Sequence, residues 1–240
     1  MYQPRTYRHL IKDSDLVSFN VGIKETDLYI RAQRNLKAEA LKSIAKHRTP
    51  LEEYIESHPV FLTSLEPCSV DDDAPTIVRD MAQAGKIVGV GPMAAVAGAI
   101  AEAVGKDLLT YTSEIIIENG GDIFIKTSTT RLIGIFAGKS PLTGKIALEI
   151  TPAETHLGIC TSSGTVGHSL SLGAADAVIV LSHSTALADA AATSIGNGIK
   201  TADDITAAIE QAQIIDGLGG VVIIKGDKIG LWGGVKITSL

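Results

Sequence analysis

The sequence predicts an α+β protein with a largely antiparallel sheet and packed helices. Short runs of alternating apolar and polar residues, separated by turn residues, occur at both ends of the chain, and no regular strand–helix–strand repeat runs through it. The 240 residues, 45% of them hydrophobic and 20% charged, suffice to bury a sizeable core. No linker or internal repeat stands out, so we expect a single domain over residues 1–240.

The first elements follow from local patterns. Alternation over residues 17–32, on either side of a short turn at 24–26, predicts a β-hairpin. Apolar residues at helical spacing predict a helix over 35–46, and Pro50 predicts the start of a second helical segment. Both helices should lie on the surface of the sheet.

The segment 66–75 contains two prolines and three consecutive aspartates, which indicates a loop before a helix that runs from Ala74 and Pro75 to residue 84. The aspartates 71–73 have two interpretations. They are compatible with a cation site, but a solvated acidic turn near a helix start is the commoner arrangement.

Residues 92–104 are apolar on every side, which predicts a central helix buried nearly all round. The remaining pattern predicts strands at 114–118, 123–126, 132–137, 146–150 and 177–181, helices from Thr185 and from Ala202, and a closing meander of strands at 221–224, 228–231 and 235–238.

Charge and composition exclude several classes of function. A net charge of −6 and 4% aromatic residues argue against a nucleic-acid-binding surface. The opening residues lack the apolar stretch of a signal peptide, and the uncharged run 87–101 is too short and too rich in glycine and alanine to span a bilayer. We therefore expect a cytoplasmic protein without a membrane partner, whose two cysteines are free thiols.

The sequence ENGGD places Asn119, Gly120, Gly121 and Asp122 between two predicted strands. Glycine leaves room for the close approach of a ligand, and the flanking amide and carboxylate can hydrogen-bond to it. An ordinary hairpin turn is the alternative, because Asn-Gly is a leading turn signal.

A second polar segment follows the apolar strand LGIC, where Thr161, Ser162, Ser163 and Gly164 precede His168. Clustered hydroxyls and free amides suit phosphate or ribose oxygens, and the histidine is a candidate acid, base or donor. The alternative is a Ser/Thr turn with a surface histidine. A Cys160 nucleophile paired with His168 is a further hypothesis, although no third group orients the histidine.

Asp189 and Thr193 lie four residues apart on a predicted helix, and so on one face of it. A carboxylate and a hydroxyl are hard ligands suited to Mg²⁺, which takes few protein ligands and completes its shell with phosphates and water. An exposed aspartate beside a helix-interior threonine is the alternative.

In this order, the glycine-rich helix from Gly91, ENGGDIFI, CTSSG with its histidine, and ALADAAATSIGN resemble the ApbE superfamily of flavin transferases over residues 89–198. More closely, the whole chain resembles a group of small prokaryotic proteins placed beside those transferases. The resemblance implies a T-fold-like scaffold around FAD and Mg²⁺, and transfer of FMN from FAD to a threonine hydroxyl.

Carried over by residue, the resemblance makes Asp189 and Thr193 metal ligands, and it places the two glycines and Asp122 near the flavin or its nucleotide. It also implies that Thr161, Ser162 and Gly164 line the same pocket. The transferases carry Lys-Gly at the start of the central helix, where this chain has Gly91-Pro92-Met93-Ala94, and the chain lacks the acidic residue and proline that follow the transferases' histidine.

Two hypotheses of function follow. One is a Mg²⁺-dependent enzyme on FAD or a related phosphate-containing ligand, either transferring FMN or cleaving the pyrophosphate. The other is a ligand-binding or assembly protein that kept the scaffold without the chemistry. Apolar edges in the C-terminal meander further predict a homodimer.

Overall fold

The computed structural model describes residue 8 and residues 15–166 and 171–240. Its strands are β1 Val17–Ile23, β2 Thr26–Ala32, β3 Ile115–Asn119, β4 Asp122–Lys126, β5 Arg131–Gly134, β6 Ile146–Ile150, β7 Leu157–Ser162, β8 Ala177–Ser182, β9 Leu218–Lys225, β10 Lys228–Gly233 and β11 Ile237–Ser239. Its helices are α1 Lys37–Ser57, α2 Pro59–Thr63, α3 Thr76–Val88, α4 Val96–Leu108, α5 Thr185–Asn197 and α6 Ile205–Gln213, with 3-10 turns at Pro92–Ala95, Pro152–Glu154 and Ala202–Asp204.

The strands form two antiparallel sheets, and the predicted α+β class is confirmed. The large sheet has the order β1-β2-β3-β4-β7-β8-β9-β10, and the small sheet has the order β11-β6-β5. Each observed pair is antiparallel. The predicted N-terminal hairpin is confirmed as β1 and β2, with Ile23 opposite Thr26 across the turn.

The large sheet lies between the helices and the small sheet. Along β3, Ile115 and Ile117 pack into the helix-side core, whereas Ile116 packs into the core between the two sheets. Strand β8 is buried along its whole length. Burial on both faces explains why these strands are continuous apolar runs in the sequence rather than alternating ones.

Helices α4 and α5 approach each other closely on the helical side. A Cβ atom at Gly98 would lie 2.5 Å from the Thr185 carbonyl oxygen and 2.9 Å from Asp189 Cβ. Helix α5 presents alanines to this layer, with Ala188 and Ala190 fully buried. Small residues therefore allow α5 to bring its polar side chains up to the sheet and α4.

Several sequence predictions need their boundaries or partners changed. The segments predicted at 35–46 and from Pro50 are one helix, α1, with the proline inside it. Because Pro50 has no N–H, the Lys46 carbonyl lacks its partner within the helix. Lys46 is exposed, so water can satisfy that carbonyl, and Leu51 continues the buried face of the helix.

The closing meander is also only partly correct. Strands β9 and β10 pair as expected, but β11 leaves the large sheet and pairs with β6. Val235 and Ile237 pack against the core between the sheets, which requires the chain to cross to the small sheet.

The buried central helix is confirmed, although it begins as the 3-10 turn at Pro92–Ala95; no residue in 92–104 is exposed. Among the described residues, no single helix is long and apolar enough to cross a membrane. Thr76–Val88 and Pro92–Leu108 meet that test only as a pair, with a bend of 105° between them.

Candidate functional site

A cavity of about 190 Å³ lies between the two sheets and continues around the ends of β3, β4 and β7 to helix α5. Its apolar part has walls from both sheets, and its other end is polar. The apolar walls include residues 132–136 and Leu148 on the small-sheet side and Ile123, Ile159 and Ile179 on the large sheet. The polar end includes Gly120, Gly121, Asp122, Thr161, Ser162, Ser163, Asp189 and Thr193.

The double glycine forms the two-residue turn between β3 and β4, in which Asn119 pairs with Asp122. Gly120 and Gly121 have φ angles of +70° and +110°, a backbone that favours glycine. A Cβ at Gly120 would have no neighbour within 4 Å, and one at Gly121 only the Thr161 carbonyl oxygen at 3.9 Å. The segment is therefore a hairpin turn and also a cavity wall, which the glycines keep free of side chains.

The two residues that precede this turn, Glu118 and Asn119, point to opposite faces of the sheet. Glu118 lies opposite Ile123, which packs against the core between the sheets, and its Oε1 accepts a hydrogen bond from Gly121 N at 2.8 Å. Asn119 points to the helices and donates Nδ2 to the Ala97 carbonyl at 3.0 Å. Asn119 thus anchors α4 and is not among the residues that line the cavity.

Asp122 also points to the helical side, where its Oδ1 accepts a hydrogen bond from Thr161 N at 3.1 Å. Burial, with a smaller contribution from the charge of Glu118, raises the pKa of Asp122 to about 7. Near neutral pH this carboxyl is poised between its two forms, and a cation beside it would favour the anion.

Asp189 reaches the same end of the cavity from α5. Its Oδ2 accepts a hydrogen bond from Gly98 N at 2.9 Å, and Thr193 lines the cavity one turn later. Burial, and then the charge of Asp122, raises the pKa of Asp189 well above its usual range. The charge of Asp122 therefore reaches Asp189 and disfavours ionisation of the second carboxyl.

The end of β7 and the loop that follows it contribute hydroxyl groups. Thr161, Ser162 and Ser163 line the cavity, and Ser163 Oγ accepts hydrogen bonds from the backbone N–H groups of Thr165 and Val166 at 3.1 and 3.0 Å. The loop thus has the hydrogen bonds of a Ser/Thr turn and faces the cavity as well.

One further predicted residue, Gly164, is not brought into this lining. Gly164 N donates to the Ala175 carbonyl at 2.9 Å, and the residue is not part of the cavity wall. His168, the predicted catalytic residue, lies outside the described residues.

The thiol of Cys160 is fully buried and donates to the Thr185 carbonyl at 3.4 Å. Burial, and then the charges of Asp122 and Asp189, raise the pKa of this thiol well above its usual value. A nucleophilic cysteine needs a lowered pKa, so the burial of this thiol and its raised pKa argue against the cysteine hypothesis. The aspartates 71–73 are exposed, in keeping with a solvated turn.

Several lining residues were not singled out from the sequence. Arg8, Tyr29 and Arg31 border the cavity, together with small-sheet side chains such as Ile133. The alternation in β2 shows which residues share a face, but no local signal in the sequence indicates that this face meets a cavity.

The polar end fits Mg²⁺ by its chemistry. Asp189 and Thr193 supply hard oxygen donors, and a divalent cation would offset the repulsion between Asp189 and Asp122. Within the described part of the chain, no three histidine, cysteine, aspartate or glutamate side chains form a metal cluster. That is compatible with Mg²⁺, which commonly binds through one or two carboxylates and completes its shell with phosphates and water.

Comparison with known proteins assigns the chain to a family. The model of the family described as AbpE bacteria matches residues 8–219. The chain belongs to this family. It is 45% identical to a UPF0280 protein of Methanocaldococcus jannaschii over 91% of this chain and 90% of that protein, and 40% identical to a UPF0280 protein of Methanosarcina acetivorans over 90% and 87%.

Solved structures extend the likeness to the fold of this AbpE family member. The apo flavinyl transferase ApbE of Pseudomonas stutzeri matches with a TM-score of 0.58 at 12% identity, over 93% of this chain and 94% of that one. The ApbE protein of Thermotoga maritima also gives 0.58, at 10% identity over 90% and 96%. The resemblance stated from the sequence motifs is thereby confirmed at the level of family and fold.

Proposed function

We propose that the cavity binds a flavin nucleotide together with Mg²⁺. The observation that carries this proposal is the continuity of an apolar space between the sheets with an end formed by Asp122, Asp189 and Thr193. The apolar walls suit a ring system, and the acidic end suits a metal ion shared with phosphate oxygens. The flavinyl transferase ApbE of Pseudomonas stutzeri, whose fold is similar, supports the same class of ligand.

The chain's own residues divide the work. Asp189 and Thr193 would hold the Mg²⁺, and the Gly98 N–H fixes the aspartate's orientation. The hydroxyls of Thr161 and Ser162 are donors for phosphate or ribose oxygens of the ligand. The double glycine has no side chains and leaves room for the ligand to approach the turn. When bound, Mg²⁺ supplies neutralisation of pyrophosphate charge, which favours transfer or cleavage at phosphorus.

A binding protein without turnover is the second candidate, and one observation favours it. Where the transferases begin the central helix with Lys-Gly, this chain has a 3-10 turn at Pro92–Ala95, with Pro92 and Ala95 buried. The turn has no charged side chain to contribute at a reacting phosphate. Loss of one such charge costs on the order of 3 kcal/mol of transition-state stabilisation in comparable sites.

The test is incubation of purified protein with FAD, with and without Mg²⁺, followed by chromatography with mass detection. Mg²⁺-dependent AMP release, or an FMN adduct on protein, establishes the enzyme; bound but intact FAD establishes the binding protein. FAD that neither binds nor reacts contradicts the proposal.

Two variants refine the assay. Asp189→Asn keeps an acceptor for the Gly98 N–H but removes the charge. We therefore expect the variant to fold but to show none of the Mg²⁺-dependent FAD binding or turnover. Asp203→Asn, at an exposed residue outside the cavity lining, is the matched control and should behave as the wild-type protein. If Asp189→Asn retains wild-type Mg²⁺ dependence, the metal assignment is wrong.

A further inference from the structure

A charged side chain far away in sequence reaches the double-glycine turn. Arg8 Nε donates to Glu118 Oε2, while Nη1 donates to Asp27 Oδ2 at 3.2 Å and Nη2 donates to the Asp27 carbonyl at 2.9 Å. The guanidinium carbon also lies 5.7 Å from the centre of the Tyr29 ring. Contacts from three residues therefore fix the planar guanidinium at the border of the cavity.

Glu118 connects this guanidinium to the turn. One carboxylate oxygen accepts from Arg8, and the other accepts from Gly121 N at 2.8 Å. The side chains of Arg8 and Glu118 are only 7% and 8% exposed, so the ion pair is largely shielded from water. A buried carboxylate keeps its charge and its orientation when a counter-charge is hydrogen-bonded to it.

We infer that Arg8 is a positioning residue for the ligand-facing turn, acting through Glu118; the effect on ligand binding rests on the proposed function. The guanidinium holds the Glu118 carboxylate directed at the Gly121 N–H, which holds the turn in the conformation that leaves the cavity free of side chains. It also cancels one negative charge beside a cavity that already contains Asp122 and Asp189, so that a phosphate-bearing ligand meets less repulsion.

The chain offers a matched control in a second cluster, in which a buried arginine also pairs with a buried glutamate and with an aspartate. Arg131 Nη2 donates to Glu114 Oε2 at 2.9 Å and to Asp15 Oδ2 at 2.7 Å, and the Arg131 and Glu114 side chains are 6% and 8% exposed. Neither Arg131 nor Glu114 is among the residues that line the cavity. Loss of either arginine should affect overall stability similarly, whereas only loss of Arg8 should affect the turn.

The experiment measures backbone hydrogen exchange in peptides that cover the turn, without any ligand. Arg8→Ala should speed exchange at Gly121 at least tenfold, and Arg131→Ala should leave it within twofold of wild type. In Arg8→Ala/Glu118→Gln, the neutral amide oxygen accepts from the Gly121 N–H without a counter-charge, and slow exchange should return. Equal exchange at Gly121 in Arg8→Ala and Arg131→Ala would overturn the inference.

A binding measurement adds the ligand. By calorimetry with FAD and Mg²⁺, we expect the dissociation constant to rise about tenfold in Arg8→Ala and to recover in the double variant. A wild-type protein that does not bind FAD contradicts the proposed function, while the exchange result still decides the role of Arg8. If Arg8→Ala does not fold, Arg8→Gln, which removes the counter-charge and keeps a polar side chain, replaces it, and exchange at Gly121 no faster than in wild type then refutes the inference.

Discussion

The buried carboxyl of Asp122 allows a quantitative test of the candidate site. Its pKa is about 7 in the folded protein, against an ordinary value of 3.8, chiefly because burial disfavours the anion. At about 1.4 kcal/mol per tenfold change in the ionisation equilibrium, this difference corresponds to about 4 kcal/mol of folding free energy. The penalty is absent below pH 3.8, develops as the pH rises towards 7, and is complete above the folded pKa.

Replacement of this carboxyl by an amide removes the titration. Asp122→Asn keeps an oxygen that accepts from Thr161 N, so we expect the variant to match the wild type near pH 4. At pH 8 it should be more stable by about 2 to 4 kcal/mol, the lower value allowing for an amide that fits less well beside Cys160. Urea unfolding followed by the single tryptophan, Trp232, at pH 4.5, 6 and 8 measures the difference.

Two controls accompany the measurement. Asp203→Asn, at an exposed site, should show no such pH dependence. Mg²⁺ at pH 8 should stabilise the wild type more than Asp122→Asn, because the cation offsets a charge that the variant lacks. If Asp122→Asn is no more stable than the wild type at pH 8, the assignment of an uncompensated carboxyl to this site is refuted.

Three further predictions concern packing, a surface carboxylate and assembly. Gly98→Ala should lower the free energy of unfolding in urea by about 1 to 3 kcal/mol, because the new Cβ would lie 2.5 Å from the Thr185 carbonyl oxygen. Gly198→Ala, whose nearest contact would be 3.5 Å, should have no effect. Equal effects of the two variants would contradict the helix packing. Burial opposes ionisation of Asp107, but hydrogen bonds from a lysine, a serine and a histidine of α1 outweigh it and lower the pKa of this carboxyl. Asp107→Asn should therefore be less stable than the wild type by about 1 kcal/mol at pH 7, and this difference in unfolding free energy should shrink below pH 3.8. A difference that does not change with pH would argue against this. The homodimer stays a prediction: light scattering should give a dimeric mass at micromolar concentration, and Leu231→Lys, on the exposed outer strand β10, should give a monomer, whereas a monomeric wild type rules the dimer out.

Features that depend on neighbouring residues were predictable from the sequence. The alternation over 17–32 predicts a hairpin, and the all-apolar run 92–104 predicts a buried helix. In both segments the order of apolar and polar residues indicates which side chains are buried. The double glycine specifies a turn because few other residues adopt its φ angles.

Local patterns failed where distant packing decides. Pro50 has the local properties of a helix start, but the burial of Leu51 extends α1 through it. The last strand looks like the third of a meander, but Val235 and Ile237 gain more burial between the sheets, so β11 joins β6. Asn119 belongs to the polar motif by sequence, yet in the folded chain its amide donates to the Ala97 carbonyl and it does not line the cavity.

The sequence alone thus determined the fold class, the family resemblance and most of the polar residues that line the cavity, since these depend on residue type and local spacing. Only the tertiary structure decided that the charge of Asp122 helps raise the pKa of Asp189 and that Arg8 reaches Glu118 across 110 positions of the chain. These pairings have no local signature, because they arise when the burial of separate apolar surfaces brings their strands and helices together.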